Sequence, residues 1–205
     1  SALAIHLAMQ AARKGIRSSY ASLEMTASEC SGRMLANASG VPRPTMQGAL
    51  TVQHKTKLAD TASSMKAWPI TFKDDNKATL EAFGGFLPQQ RLEGDLGFAV
   101  IDYLQLLSSP GFESRTQEVS HISRNLKALA MQMEIPILAL SQLNRSSTRE
   151  NRKPSLSDLR ESGSIEQDAD CVILLDVEKQ LNASTDCVWM NLAKNRNGET
   201  GQSYV

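Results

Sequence analysis

The sequence predicts an α/β fold: a mainly parallel twisted sheet with helices on both faces. Three observations carry that prediction. Apolar or β-prone runs at Ser18–Glu24, Phe98–Asp102 and Ile135–Gln142 alternate with longer segments of helical period, and such alternation with short connections builds right-handed βαβ units. The run Phe98-Ala-Val-Ile is apolar without interruption, as in a strand covered on both faces. Each run also ends on a polar side chain able to handle a proton or a phosphate oxygen, namely Glu24, Asp102 and Gln142. In open parallel sheets ligands bind outside the carboxyl ends of the strands, so three such ends point to one site.

The elements follow in order. Ala2 to Lys14 is Ala-rich and apolar around much of its circumference, with Gly15 as a stop, which predicts a buried helix. Thr26-Ala-Ser-Glu29 is a capping-box pattern opening a helix that runs toward Gly40. After Pro42 and Pro44, Val52 to Lys66 reads as helix, Trp68 to Phe72 as strand, and Asp74-Asp-Asn76 as turn. A helix weakened by Gly84 and Gly85 leads into the strand ending at Asp102. Ser114 to Glu134 is a long amphipathic helix with Val119, Ile122, Leu126 and Leu129 at helical spacing, feeding the strand that ends at Gln142. Late strands are expected at Cys171 to Leu175 and Val188 to Ala193, the second entered from a polar turn at Asn182 to Asp186. One more begins at Gln202 to Val205.

Composition bounds the class. With 205 residues, 41% hydrophobic and 21% charged, the chain can bury a core as a single domain over 1–205. The formal net charge of +0 means that any nucleic-acid contact must be local. Three cysteines without C-x-x-C spacing and three histidines without a ligand pattern predict a reduced, cytosolic protein without structural zinc. No apolar run nears the roughly 18 residues of a membrane helix. Both ends look truncated: a buried helix beginning at Ser1 lacks its entering loop, and the final strands stop short at Val205.

Single residues remain ambiguous on their own. Asp102 reads equally as a metal-seeking acid or as the opener of the next turn. Ser1 is either a chain boundary or the hydroxyl that follows Gly-Lys in a phosphate-binding loop. Glu24 is a candidate general base or an acid serving the dipole of the helix after Thr26. Lys194 and Arg196 alternate on a strand and project from one face, toward one phosphate group or simply toward solvent. Arg145, Arg149, Arg152 and Lys153, offset by Glu150, give a local balance of +3 (four minus one). Loops of that kind track a phosphate backbone, and solvated surface charge is the equal alternative. No aromatic interleaves these cations, which favours sequence-independent binding.

Four segments together change the weighting: Val100–Leu106, Ala139–Leu143, Leu156–Asp170 and Lys194–Gly198. With Ser22-Leu-Glu-Met25 they closely resemble, in order and spacing, the motor domain of DnaB-type replicative DNA helicases, and the likeness covers essentially the whole chain. The resemblance implies a RecA-like P-loop NTPase fold and a ring, typically a hexamer, with ATP and Mg2+ between neighbouring subunits. It implies ATP-driven 5′ to 3′ translocation on single-stranded DNA, duplex unwinding in replication, and a primase or helicase loader as partners. By the same resemblance Ser1 and Asp102 hold magnesium, Glu24 is the base, and Gln142 senses the nucleotide. Arg196 is the arginine finger with Lys194 as its partner, and Arg160, Glu161 and Gly163 line the DNA channel. The Gly-Lys before Ser1 is absent, so the chain alone is expected to be inactive. A regulatory or recombination ATPase of RecA type, or a phage or plasmid docking ring for primase or loader, is the alternative class.

Overall fold

The computed structural model describes residues 1–74, 78–144, 150, 152–159, 163–178 and 187–204. They fall into two compact units, one of residues 1–109 with 128–140 and one of residues 110–127 with 141–205.

The first unit is built on a parallel sheet. Helix α1 (Ala2–Arg13) buries Ala4, Ile5, Ala8, Met9 and Ala12, a spacing that forms one apolar stripe. Gly15, at φ +78°, takes the left-handed conformation open to glycine and turns the chain directly into β1 (Arg17–Ser22). Helix α2 (Ala27–Ser39) opens with the expected capping box: Thr26 Oγ1 accepts from Glu29 N and Glu29 Oε2 accepts from Thr26 N. It closes on left-handed Gly40. Helices α3 (Arg43–Met46) and α4 (Val52–Met65) lead to β2 (Ile70–Lys73).

Helix α5 (Leu80–Leu92) persists through Gly84, Gly85 and Pro88 because Thr79 caps it and Phe83 and Leu87 are buried. Tertiary packing there outweighs poor propensity. Strand β3 (Leu96–Asp102), the end of helix α6 (Arg115–Met133) from residue 128 on, and β4 (Ile137–Ala139) complete the run. All four strands are parallel, in the order β2-β1-β3-β4. Tyr20 of β1 and Val100 of β3 join Ile5, Met9, Cys30 and Met34 in one buried cluster. Ala99 and Ile101 are also buried and alternate to the opposite face, and α5 packs against β3.

Two strands end earlier than the sequence suggests. β1 stops at Ser22 because Ser22 Oγ accepts from Met25 N and bends the chain, which leaves Glu24 beyond the strand. β4 covers Ile137–Ala139, one ladder bond longer through Leu140 N to Ile101 O, so Gln142 also lies past the strand. In the expected turn at Asp74, that residue accepts from Ala27 N at 2.8 Å, while Asp75 and Asn76 lie outside the described residues, as does the turn expected at Asn182 to Asp186.

The second unit departs from the parallel scheme. Strands β5 (Cys171–Glu178), β6 (Cys187–Asn195) and β7 (Gly201–Tyr204) form an antiparallel meander. The connections 179–186 and 196–200 are shorter than the dozen or so residues that a parallel crossover requires. Val172, Leu174 and Trp189 form its core, packed by Leu143, Leu156, Leu159, Ala169 and Ala193. A short helix, α7 (Gly163–Asp168), precedes β5. Among the described residues no helix is long and apolar enough to cross a membrane.

Candidate functional site

The parallel sheet creates a site by its topology. From β1 the chain crosses to β2 on one side and later to β3 on the other, so the switch point lies between β1 and β3, where a crevice opens at the carboxyl ends of the strands. The register pairs Ser22 with Asp102 at that edge, and Leu23 N donates to Asp102 O at 2.8 Å. Glu24 follows immediately and is exposed. Helix α1 packs on β1 and β3, and the tight turn at Gly15 sends it back antiparallel to them. Its length, about 18 Å at 1.5 Å per residue, matches the roughly 20 Å of β1, which returns Ser1 to the same edge. Ser1, Glu24 and Asp102 therefore share one end of the sheet, with the positive pole of a helix among them.

Asp102 is 2% exposed, and a buried carboxylate requires a donor. Tyr20, fully buried one strand away, supplies it: its hydroxyl donates to Asp102 Oδ2 at 2.6 Å. Burial, together with the bond to Asp102, pushes the phenol far above the ordinary tyrosine range, so it remains a donor. Sequence reading missed Tyr20, since its partner is 82 positions away and no local pattern marks the pair. Ser1 heads α1 without a side-chain capping bond, so its hydroxyl is not spent on its own helix.

The remaining expected residues belong to the second unit or fall outside the description. Gln142 is exposed and lies in the segment before the Leu143–Leu159 bridge. Gly163 is exposed and opens α7, with room around it for a Cβ. Arg145, Arg149, Arg160 and Glu161 lie outside the described residues.

Lys194 and Arg196 do come together. Lys194 Nζ donates to Glu166 O and Gln167 O, and Arg196 Nη2 donates to Gln167 O at 3.1 Å. Cations at the last carbonyls of a helix suit its negative end. Arg196 also pairs with Asp170 at 3.0 Å, and Lys127 pairs with the same carboxylate. The hydrogen bond from Lys127 holds the Asp170 carboxyl below its ordinary value, against the opposing effect of burial.

The basic loop is less available than its composition implies. Arg152 grips both oxygens of Asp158, at 2.6 and 2.8 Å, and reaches Glu150 as well. Asp158, 1% exposed, also accepts from Ser155 N and Oγ, while its carbonyl accepts from Asn144 N at 2.8 Å. Lys153 donates to the Tyr204 hydroxyl at 2.6 Å and lies over the rings of Trp189 and Tyr204. Two of the four cations read as facing phosphate are thus occupied within the unit. The Ser155-x-x-Asp158 spacing was the visible signal for this knot, since it is a capping-box pattern, whereas the partners on β6 and β7 left none.

Known proteins share this fold. Residues 1–205 match the family model of the DnaB-like helicase C-terminal domain. The replicative DNA helicase DnaB of Mycobacterium leprae is 42% identical over 188 residues, which cover 87% of this chain and 31% of that protein. A solved structure of a DnaB-like replicative helicase and its interactions with primase superposes with a TM-score of 0.93 at 28% identity, covering 100% of this chain and 51% of that one. The ATPase domain of G40P superposes with a TM-score of 0.92 at 28% identity, covering 99% of this chain and 75% of that one. The chain spans less than half the length of the curated relatives it matches. A match running from the first residue to the last, on the RecA-like ATPase fold of these neighbours, makes the chain a member of the DnaB-like helicase C-terminal domain family.

Proposed function

We propose that residues 1–205 act as the motor domain of a replicative DNA helicase, hydrolysing ATP to drive translocation on single-stranded DNA and duplex unwinding. The observation that carries this reading is buried Asp102 at the switch point of the parallel sheet, paired with Ser22 of the strand that leads to Glu24.

The donor set fits magnesium. Ser1 and Asp102 offer hard oxygens, and among the described residues no group of three His, Cys, Asp or Glu forms a protein-only cage. Magnesium is held in that way, by one or two protein oxygens completed by substrate phosphates and water. When bound, it neutralises phosphate charge. The amino end of α1 draws phosphate oxygens to the same edge. Glu24, exposed beside them, orients an attacking water and accepts its proton. Arg196, with Lys194, serves the nucleotide of a neighbouring subunit in a hexameric ring, where a planar guanidinium grips two oxygens. Gln142 links the nucleotide state to the loop that follows. Gly163 with Arg160 and Glu161, and the basic residues Arg145 and Arg149, contact the DNA backbone. A primase and a loader are the expected protein partners.

In the full-length protein, Glu24→Gln should retain ATP binding and lose about 10²- to 10⁴-fold in hydrolysis, with unwinding in a strand-displacement assay lost in parallel. Normal turnover would eliminate Glu24 as the base.

A further inference from the structure

Tyr20 has no part in the chemistry assigned above, yet the fold holds it against the acid on which that chemistry depends. β1 and β3 pair in register from Ser18 with Phe98 to Ser22 with Asp102. This places the Tyr20 ring two residues back from the edge and lets its hydroxyl reach forward to Asp102 Oδ2, at 2.6 Å. That is the short range of a bond from a hydroxyl to a charged oxygen. The ring cannot swing away. It is 0% exposed, packed among Ile5, Met9 and Met34, and lies 5.6 Å from the Phe72 ring centre to centre.

A carboxylate at the end of a strand turns about its own side-chain bonds, and a single fixed donor on one oxygen removes that freedom. Among the described residues Tyr20 is the donor to Asp102, so Oδ2 is committed and Oδ1 is the oxygen left to a ligand. The phenol is not required for filling space, since a phenylalanine ring has nearly the same shape. We propose that Tyr20 is a positioning residue for ATP hydrolysis, fixing the Asp102 carboxylate so that one oxygen is presented to magnesium-bound nucleotide. The proposal rests on the reading of Asp102 as a magnesium-holding acid. Partners that hydrogen-bond a metal-binding carboxylate typically contribute 10- to 100-fold to metal affinity or activity.

The test uses the full-length protein with Tyr20→Phe, Asp102→Asn and the double variant. Binding of a fluorescent ATP analogue is titrated with Mg2+, and each variant is melted to establish folding. Tyr20→Phe should raise the half-saturating Mg2+ concentration by about tenfold or more and add nothing further in the Asp102→Asn background, because it acts through that side chain. A shifted Asp102→Asn beside an unshifted, folded Tyr20→Phe overturns the role of Tyr20 and leaves Asp102 in place. An unshifted Asp102→Asn instead overturns the magnesium reading, and the role of Tyr20 falls with it. If Tyr20→Phe does not fold, a ring-fluorinated tyrosine at position 20 keeps the volume and the hydroxyl while altering donor strength. A half-point unchanged by that replacement likewise overturns the proposal.

Discussion

Replacing Arg196 by alanine separates a structural role from a catalytic one, because the structure predicts a small effect on stability. Arg196 pairs with Asp170 while their side chains are 48% and 45% exposed, and exposed pairs contribute about 0 to 1 kcal/mol. Its bond to Gln167 O adds about 1 kcal/mol. Asp170 keeps Lys127 when the guanidinium is removed, so no unpaired buried charge results. The total is at most about 2 kcal/mol, or roughly 4 to 8 °C of melting temperature at this chain length. The same weakness lets the guanidinium leave Asp170 for a phosphate at little cost. As a finger acting on a neighbour's nucleotide, it should contribute about 10³- to 10⁵-fold to turnover. The assays are thermal melting, sizing of the assembled ring, and ATPase rate on single-stranded DNA, with Arg196→Ala subunits also mixed into wild-type rings. A fully assembled variant that hydrolyses ATP within tenfold of wild type would refute the finger role. A melting point lowered far beyond 8 °C would show that the exposed-pair reasoning is wrong.

Two further outcomes follow from the packing. The Arg152 guanidinium, aided by the Ser155 donors and against the opposing effect of burial, holds the Asp158 carboxyl well below the usual carboxylate range. A depressed value in the folded state means that the unfolded chain binds the proton more readily. The stabilisation is therefore complete above about pH 4 and is lost as pH falls through the folded value. Asp158→Asn should lower the melting point at pH 7 and flatten its decline below about pH 4; parallel curves for variant and wild type would sink this assignment. Thr26→Ala removes the oxygen that accepts from Glu29 N and should cost about 1 kcal/mol, near 2 to 4 °C in a melt, with no loss expected if α2 is already held by Cys30 and Met34 alone.

Much of the first unit was legible in the residues. Thr26-Ala-Ser-Glu29 and Gly40 bound α2 as their types demand, and in the second unit Val119, Ile122 and Leu126 are buried at their helical spacing. The strand carrying Asp102 was clear because an unbroken apolar run fits a buried parallel strand. Strand ends were harder to read. Ser22 stops β1 through a side-chain bond to Met25 N, a local competition that periodicity does not register. The mainly parallel sheet read from the alternation is the sheet of the first unit, and the antiparallel direction of the late strands follows from connections too short for a crossover.

The site divides in the same way. Asp102, Glu24 and Ser1 stand at strand and helix ends where each residue type admits two readings, and the resemblance to the helicase motor domain is what proposes a role for each. What the sequence by itself determined was the order of the elements and the fold class, since these depend on local periodicity, caps and spacing, while the family was carried by the resemblance of Val100–Leu106, Ala139–Leu143, Leu156–Asp170 and Lys194–Gly198. The tertiary structure decided which groups meet: Tyr20 on Asp102, Arg152 on Asp158, Lys153 between Trp189 and Tyr204, and Arg196 on Asp170. Apart from Arg152 and Asp158, these partners are far apart along the chain. A hydrogen bond or ion pair of a few ångströms depends on strand register and helix packing, which no local pattern encodes.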